Sequence, residues 1–162
     1  MVRVYTLLLL LVLSSASYAV RVEVCGIHFV DDCLAEAISK PRPKSVSEVL
    51  TYIKGKYKDE NIEELNFKNN HIGQSGAVAI LKYALELPHL RLLNLEINSI
   101  DYDTDSSEYL SFETLLLQLL QKEEFEEIRL GDNGIASTAW YSIISQKLVG
   151  AYANKIKWQL QD

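Results

Sequence analysis

The sequence lacks the features by which an enzyme or a nucleic-acid-binding protein is usually identified. It has no glycine-rich phosphate loop, and its histidines, at positions 28, 71 and 89, lie in unrelated places, none of them beside a serine or cysteine in a nucleophile context. The 16 basic residues are outnumbered by 22 acidic residues, which disfavours nucleic acid and anionic membranes as partners. We therefore expect a non-catalytic protein with no cofactor and no metal site.

Apolar runs long enough to span a bilayer are also missing. Near the N-terminus the short run "TLLLLLVL" follows Arg3, and "SSASYA" then places Ser17 and Ala19 at the −3 and −1 positions of a cleavage site. This arrangement predicts a signal peptide over residues 1–19, no membrane insertion after its removal, and a protein that is secreted or kept in the secretory-pathway lumen. The alternative is an uncleaved anchor, which would make the chain a structural or assembly subunit of a membrane-associated complex.

Cysteine is scarce, with two residues in the whole chain, Cys25 and Cys33. In the oxidising compartment that the signal peptide implies, two cysteines eight positions apart favour a disulfide bond. Two buried thiols are the alternative. A metal site that also uses His28 is a weaker one, because three ligands at irregular spacing match no common zinc pattern.

What the sequence does contain is a repeated pattern in three segments, "IEELNFKNNHI" (62–72), "LRLLNLEINSI" (90–100) and "FEEIRLGDNGI" (125–135). Each reads apolar-x-x-apolar-x-apolar-x-x-Asn-x-Ile, and the recurring asparagines are Asn70, Asn98 and Asn133. The alternating apolar positions predict a short strand with one side in the core, and the asparagine can hydrogen-bond the backbone where the chain turns. The pattern matches the leucine-rich repeat template.

Helical patterns follow the first and third segments. "GQSGAVAILKYALEL" and "ASTAWYSIISQKL" both have apolar residues at helical spacing. Because strands that alternate with helices must run parallel, the sequence predicts an α/β fold with a parallel sheet and helices behind it.

The stretch Asn70-x-Ile72-Gly73-x-x-Gly76-Ala77 resembles the ribonuclease-inhibitor-like class of leucine-rich repeat proteins. The resemblance extends over residues 62–162. It implies a short solenoid, with parallel strands on the concave side and helices on the convex side, that acts as an adaptor or scaffold by binding another protein.

The second and third segments are 35 residues apart, whereas the first and second are 28 apart. The excess falls in the acidic stretch "DYDTDSSEYL" at 101–110, which we interpret as an insertion, followed by a second helix over "SFETLLLQLLQ". An exposed acidic loop is one interpretation of the insertion. A calcium loop running from Asp101 to Glu113 is the alternative, but Ser106 occupies the position of the turn glycine and the glutamate arrives one position late.

Both ends of the repeat region have candidate strands. At the C-terminus, Ile156 and Trp158 continue the spacing and predict a terminal strand. At the N-terminus, "VRVEVCGIHF" alternates with period 2, and we expect Cys25 and Ile27 to point into the core. Ser45 and Glu48 form a capping box for a following helix, so residues 20–61 are predicted to be an N-terminal cap.

The positions between the buried ones predict a partner-binding face on the concave side of the sheet. Lys68 and Glu96 are expected to pair on it. Arginine is enriched at the hot spots of protein interfaces, and an exposed leucine on a polar sheet face has no other evident reason to be there. The predicted partner-binding residues are Asn66, Leu92, Asn94, Glu96, Glu127, Arg129 and Lys157. The partner is expected to be a protein, which the sequence does not identify.

Overall fold

The computed structural model describes residues 19–24, 45–58, 60–100, 107–134 and 152–158. The predicted disulfide between Cys25 and Cys33, most of the predicted signal peptide and residues 101–106 of the acidic insertion lie outside these ranges. In the described ranges no α-helix is long and apolar enough to cross a bilayer.

The fold is α/β, as the sequence predicts, with one parallel sheet in which the strands follow chain order. Its strands are β1 (Ala19–Glu23), β2 (Asn61–Asn66), β3 (Leu92–Asn94), β4 (Glu127–Arg129) and β5 (Ile156–Lys157). The α-helices of the described ranges are α1 (Val46–Lys56), α2 (Gly73–Glu86) and α3 (Ser107–Leu120). A short 3₁₀ helix, Ala153–Lys155, precedes β5. Helix α2 packs against both α1 and α3.

The hydrophobic core lies between the sheet and the helices, and the alternating positions of the strands supply half of it. Leu65, Leu93 and Ile128 are adjacent across β2 to β4 and are completely buried. The helices supply the other half, from residues such as Leu81 and Leu116. Each fully buried side chain of this size contributes about 1.5–3 kcal/mol, so the period-2 alternation fixes which side of the sheet faces the helices.

The register across the insertion is the one that the sequence predicts. Leu93 pairs with Ile128 and Asn94 with Arg129, an offset of 35 positions, whereas Leu65 pairs with Leu93 at an offset of 28. Helices α2 and α3 have the same length, 14 residues. Six of the seven extra residues therefore lie between β3 and α3, and the register of the sheet is not shifted.

The N-terminal strand differs from the prediction. The structure places Val22 beside Leu65 and buries Val24, whose N–H donates to Asn66. The prediction aligned Cys25 with Leu65, whereas the structure aligns Val22 with Leu65, so the predicted register of this strand is wrong by three residues. The reason is that "VRVEV" alternates as well as "VCGIHF" does, so period 2 alone allows either frame. The strand also includes Ala19, which the sequence assigned to the signal peptide.

The three recurring asparagines form a buried ladder beyond the C-terminal ends of the strands. The side-chain oxygen of Asn98 accepts the N–H of Asn70 at 2.8 Å, and that of Asn133 accepts the N–H of Asn98 at 2.9 Å. Their amide groups donate to strand carbonyls, including those of Val24, Phe67 and Leu95. All three are at most 7% exposed. Each asparagine thus joins its own turn to the turn of the neighbouring strand.

Left-handed backbone precedes each ladder residue. Asn69, Ile97 and Asp132 have φ values of 60°, 55° and 53°. Asparagine and aspartate tolerate this region, but for other residues it costs about 1–2 kcal/mol. Ile97 is the unexpected residue of the three, because it is β-branched. The ladder and the packing around it therefore hold the chain at position 97 against its own preference.

Polar side chains cap the helices. Ser45 accepts the N–H of Glu48 at 3.3 Å and caps α1, as predicted. At the other end of the next helix, Lys122 donates from Nζ to the carbonyls of Ala84, Leu85 and Leu87. Burial lowers the pKa of this ammonium, and the carbonyls at the negative end of α2 offset that cost.

Replacing Lys122 with methionine is expected to lower the free energy of unfolding by about 2 kcal/mol, because three carbonyls lose a charged donor while the apolar stem is kept. Urea unfolding followed by circular dichroism would measure the change. Lys82→Met is the matched control, since Lys82 is exposed on α2, and its effect should stay below about 0.5 kcal/mol. Equal effects of the two substitutions would contradict a capping role.

Candidate partner-binding face

The side of the sheet opposite the core carries the polar positions of the strands. One row across β2 to β5 is formed by Asn66, Asn94, Arg129 and Lys157. The row beside it is formed by Glu64, Leu92 and Glu127. Both rows agree with the predicted register. Strand β1 extends the second row, because Arg21 pairs with Glu64. We refer to these eight residues as the open face.

A shallow depression of about 140 Å³ lies on the open face. Its lining residues come from strands β1 to β4 and are Arg21, Glu64, Asn66, Leu92, Asn94 and Arg129. Leu92 is the apolar residue among these six and is partly exposed. Four of the predicted partner-binding residues, Asn66, Leu92, Asn94 and Arg129, therefore meet in one place, although Asn94 is buried, at 4% exposed.

Two arginines line this depression, and both approach a neighbouring glutamate through Nε. Arg129 donates from Nε to Oε1 of Glu127 at 2.6 Å. Arg21 approaches Oε2 of Glu64 through Nε at 3.3 Å. Within the described part of the chain, the Nη groups of Arg21 and Arg129 make no hydrogen bond. Each guanidinium is thus oriented by a glutamate and keeps the donors that suit a second carboxylate.

The asparagines of the open face are held by the backbone. The side-chain oxygen of Asn66 accepts the N–H of Lys68 at 3.0 Å, and that of Asn94 accepts the N–H of Glu96 at the same distance. Both side chains are therefore fixed before any ligand arrives, which reduces the entropy lost on binding. At the β5 end of the row, Lys157 donates to the carbonyl of Asn154 at 3.3 Å.

Glu96 does not belong to this surface, although the sequence placed it there. Its side chain is 0% exposed and forms the predicted ion pair with Lys68, Oε2 to Nζ 3.1 Å. Asn94 also donates to it at 3.4 Å. Alternation gives the side of the sheet, but the position lies just past the end of β3, where the side chain is buried. We therefore treat Glu96 as a structural residue.

Arg21 was missed by the sequence reasoning. The frame chosen for the N-terminal strand put its inward positions at Cys25 and Ile27, so Arg21 lay outside the residues considered for the face. The alternating valines of "VRVEV" were the signal that could have located it. Once Val22 and Val24 are assigned to the core, Arg21 lies on the opposite side of the sheet.

A charged rim borders the open face at the beginning of the strands. Arg91 contacts Glu126 at 2.6 Å and Glu63 at 3.6 Å, and the hydrogen bond with Glu126 raises the pKa of Arg91. His89 contacts Glu124 at 2.9 Å. Exposed pairs of this kind are screened by solvent and add little to stability. The rim therefore adds charge around the face and little stability.

No cluster of three or more His, Cys, Asp or Glu side chains suited to a metal ion occurs in the described ranges. Glu113, the last residue of the alternative calcium loop, lies within α3 and is 5% exposed, which does not favour that alternative. Comparisons of the chain with protein-family models, with curated proteins and with solved structures gave no match.

Proposed function

We propose that this chain is a short leucine-rich-repeat solenoid of the ribonuclease-inhibitor-like class, and that it works without catalysis by binding another protein through the open face. The observation that carries the proposal is the depression in which Leu92 lies with Arg21 and Arg129. Arginine is enriched in protein interfaces, and Leu92 adds an apolar contact to a polar surface whose side chains are already oriented.

The asparagine ladder supports the solenoid part of the proposal. It joins turns that are separated by 28 and by 35 positions, so the same local structure recurs despite the unequal spacing. In stacked units each strand contacts only its neighbours, as the strand order here does. Asn70, Asn98 and Asn133 would then be the residues that stack one unit on the next.

The fixed orientation of the open-face side chains supports the proposal that this face binds a protein. Its side chains project from strands in register, and its arginines and asparagines are already oriented by hydrogen bonds. A surface that is fixed in advance loses less conformational entropy when it binds. The signal peptide predicted for residues 1–19 completes the proposal, because it directs the protein to partners outside the cell or in the secretory-pathway lumen.

Affinity capture with the full chain as bait, followed by mass spectrometry, would test this function. We expect a specific protein to be retained by the wild type and by Lys82→Glu, an exposed substitution on α2 that serves as the control. Arg129→Glu and Leu92→Lys should each reduce its retention at least about tenfold, because each places a charge where the interface needs its opposite or an apolar contact.

Circular dichroism of each variant would show that loss of capture is not loss of folding. The dissociation constant of the retained protein is then measured for all four baits, and it shows whether the open face is the binding surface. Retention that is equal for wild type, Arg129→Glu and Leu92→Lys would exclude the open face as the binding surface, and so would the absence of any retained protein.

A further inference from the structure

The last asparagine of the ladder is followed by a glycine, which makes it chemically different from the other ladder residues. Asn133 precedes Gly134, and every other asparagine of the chain precedes a residue that has a side chain. Asparagine is a thermolabile residue, because the backbone nitrogen of the next residue can attack its side-chain carbonyl carbon. Glycine has no Cβ to hinder that attack and adopts many backbone conformations. Asn133 is therefore the asparagine of this chain that is most prone to deamidation.

The reaction needs water and no other reactant. The backbone nitrogen of Gly134 loses its proton and bonds to Cγ of Asn133, and the side-chain nitrogen takes up a proton and leaves as ammonia. A cyclic imide remains, and water opens it at either of its carbonyl carbons. Breaking the new bond to Cγ gives aspartate, whereas breaking the original peptide bond to Gly134 gives isoaspartate.

In the folded protein, hydrogen bonds restrain the Asn133 side chain, which is 7% exposed. Its nitrogen donates to three carbonyls, at 2.8, 3.0 and 3.3 Å, which belong to Leu95, Leu130 and Gly131. Its oxygen accepts the N–H of Asn98 at 2.9 Å and that of Ile100 at 3.1 Å. Attack by the backbone nitrogen turns the planar Cγ into a tetrahedral carbon, so the oxygen and the nitrogen cannot both keep these partners. The reaction must therefore wait until the turn after β4 opens.

Local opening of a folded protein costs less free energy than global unfolding, by an amount that depends on the segment. When opening and closing are fast and the chemical step is slow, the observed rate is the rate in the open form multiplied by the fraction that is open. Deamidation of Asn133 should therefore be slow in the folded chain and fast in the unfolded chain.

The product does not fit the site that the asparagine leaves. An ionised aspartate accepts hydrogen bonds and donates none. One of its oxygens would replace the nitrogen that now donates to the carbonyls of Leu95 and Leu130, just past the ends of β3 and β4. A buried charge that faces carbonyl oxygens is strongly unfavourable. The modified residue would therefore keep the turn after β4 from returning to its place in the ladder.

We propose that Asn133–Gly134 is a site of spontaneous modification that the asparagine ladder protects, and that deamidation there irreversibly detaches the turn after β4 from the turn after β3. Folded molecules keep the asparagine, and molecules in which this turn has opened are permanently altered. The proposal goes beyond the proposed function, because it holds whether or not the open face binds a protein.

Peptide mapping by mass spectrometry tests the proposal. The full chain is incubated in mildly alkaline buffer, either folded or unfolded in urea, and trypsin then releases residues 130–147 as one peptide that contains no asparagine except Asn133. A synthetic peptide of residues 130–147, incubated in the same two buffers, gives the rate without a fold. The readouts are the mass gained when NH₂ is replaced by OH, and the separation of aspartate from isoaspartate by chromatography. A sample digested at time zero corrects for reaction during digestion.

We expect the unfolded chain and the synthetic peptide to react at the same rate and to give both products. The folded chain should react at least about tenfold more slowly, because the reaction waits for opening. Gly134→Ala should slow the reaction of the unfolded chain, since a Cβ then hinders the attacking nitrogen. Asn133→Asp reproduces one product and should lower the urea midpoint, whereas Asn154→Asp, at an exposed asparagine, should leave it unchanged.

Equal rates in the folded chain and the synthetic peptide would overturn the proposal, because the ladder would then give no protection. The proposal also fails if the unfolded chain forms no aspartate or isoaspartate at residue 133, or if Asn133→Asp and Asn154→Asp have the same urea midpoint. None of these measurements involves a partner, so affinity capture tests the proposed function separately.

Discussion

Asn98→Ala is expected to lower the free energy of unfolding by about 4 kcal/mol, a large part of the 5–15 kcal/mol that a domain of this size usually has. The side chain is completely buried and makes three hydrogen bonds, to Phe67, Glu96 and Asn70. Without it the carbonyls of Phe67 and Glu96 keep one N–H donor each. The N–H of Asn70 loses the Asn98 oxygen as its acceptor, and loss of the acceptor of a buried donor costs about 1–3 kcal/mol. The two lost bonds and the cavity add the rest.

Urea unfolding of the wild type, Asn98→Ala and Asn98→Asp would measure this effect. The aspartate variant keeps the volume but directs an oxygen at two carbonyls, so at pH 7 it should be at least as destabilising. Asn66→Ala is the matched control, because Asn66 is half-buried on the open face and its loss should cost about 1 kcal/mol. A small effect of Asn98→Asp would show that volume, not hydrogen bonding, determines stability at this position.

The core of the sheet could be predicted because two independent signals agree on it. Leu65, Leu93 and Ile128 alternate with polar positions, and an asparagine follows each of them five positions later. Alternation specifies the side of the sheet, and the asparagine specifies where the strand stops. Together they gave the register between β3 and β4 even though seven extra residues separate the segments.

The N-terminal strand had only one of these signals. No asparagine follows Val22 or Val24 at the position that Asn70 occupies in the next segment, so the frame remained open and Arg21 was missed. Just past the end of this strand, the carbonyl of Val24 accepts a hydrogen bond from the side-chain amide of Asn70.

The burial of the Glu96 side chain could not be predicted from the sequence, for a different reason. Alternation predicts which side chains share a side of the sheet, and Glu96 is indeed beside Lys68. Exposure also depends on the path of the chain after the strand, where Ile97 and Ser99 have positive φ. The sequence does not predict positive φ at these two positions, because neither residue is a glycine.

Lys68→Ala is expected to cost about 3 kcal/mol, the second large effect, because it removes the cation at 3.1 Å from a carboxylate that is 0% exposed. Breaking a buried pair by deleting one partner typically costs about 3–5 kcal/mol. The value here lies at the lower end, since the Lys68 side chain is 36% exposed. In a Glu96→Gln background the same substitution should cost less than about 1 kcal/mol, because no buried charge is left behind.

A double-mutant cycle isolates this difference, which we expect to be a coupling of about 2 kcal/mol between Lys68 and Glu96. The pair Arg21–Glu64 is the control on the same sheet, with its side chains 62% and 40% exposed. Its coupling should stay below about 0.5 kcal/mol and fall further in high salt. If the two pairs couple equally, burial does not set the strength of Lys68–Glu96. A strong buried pair beside a weak exposed one would mean that Arg21 contributes little to stability, so that Arg21 can be replaced in tests of the proposed binding without unfolding the protein.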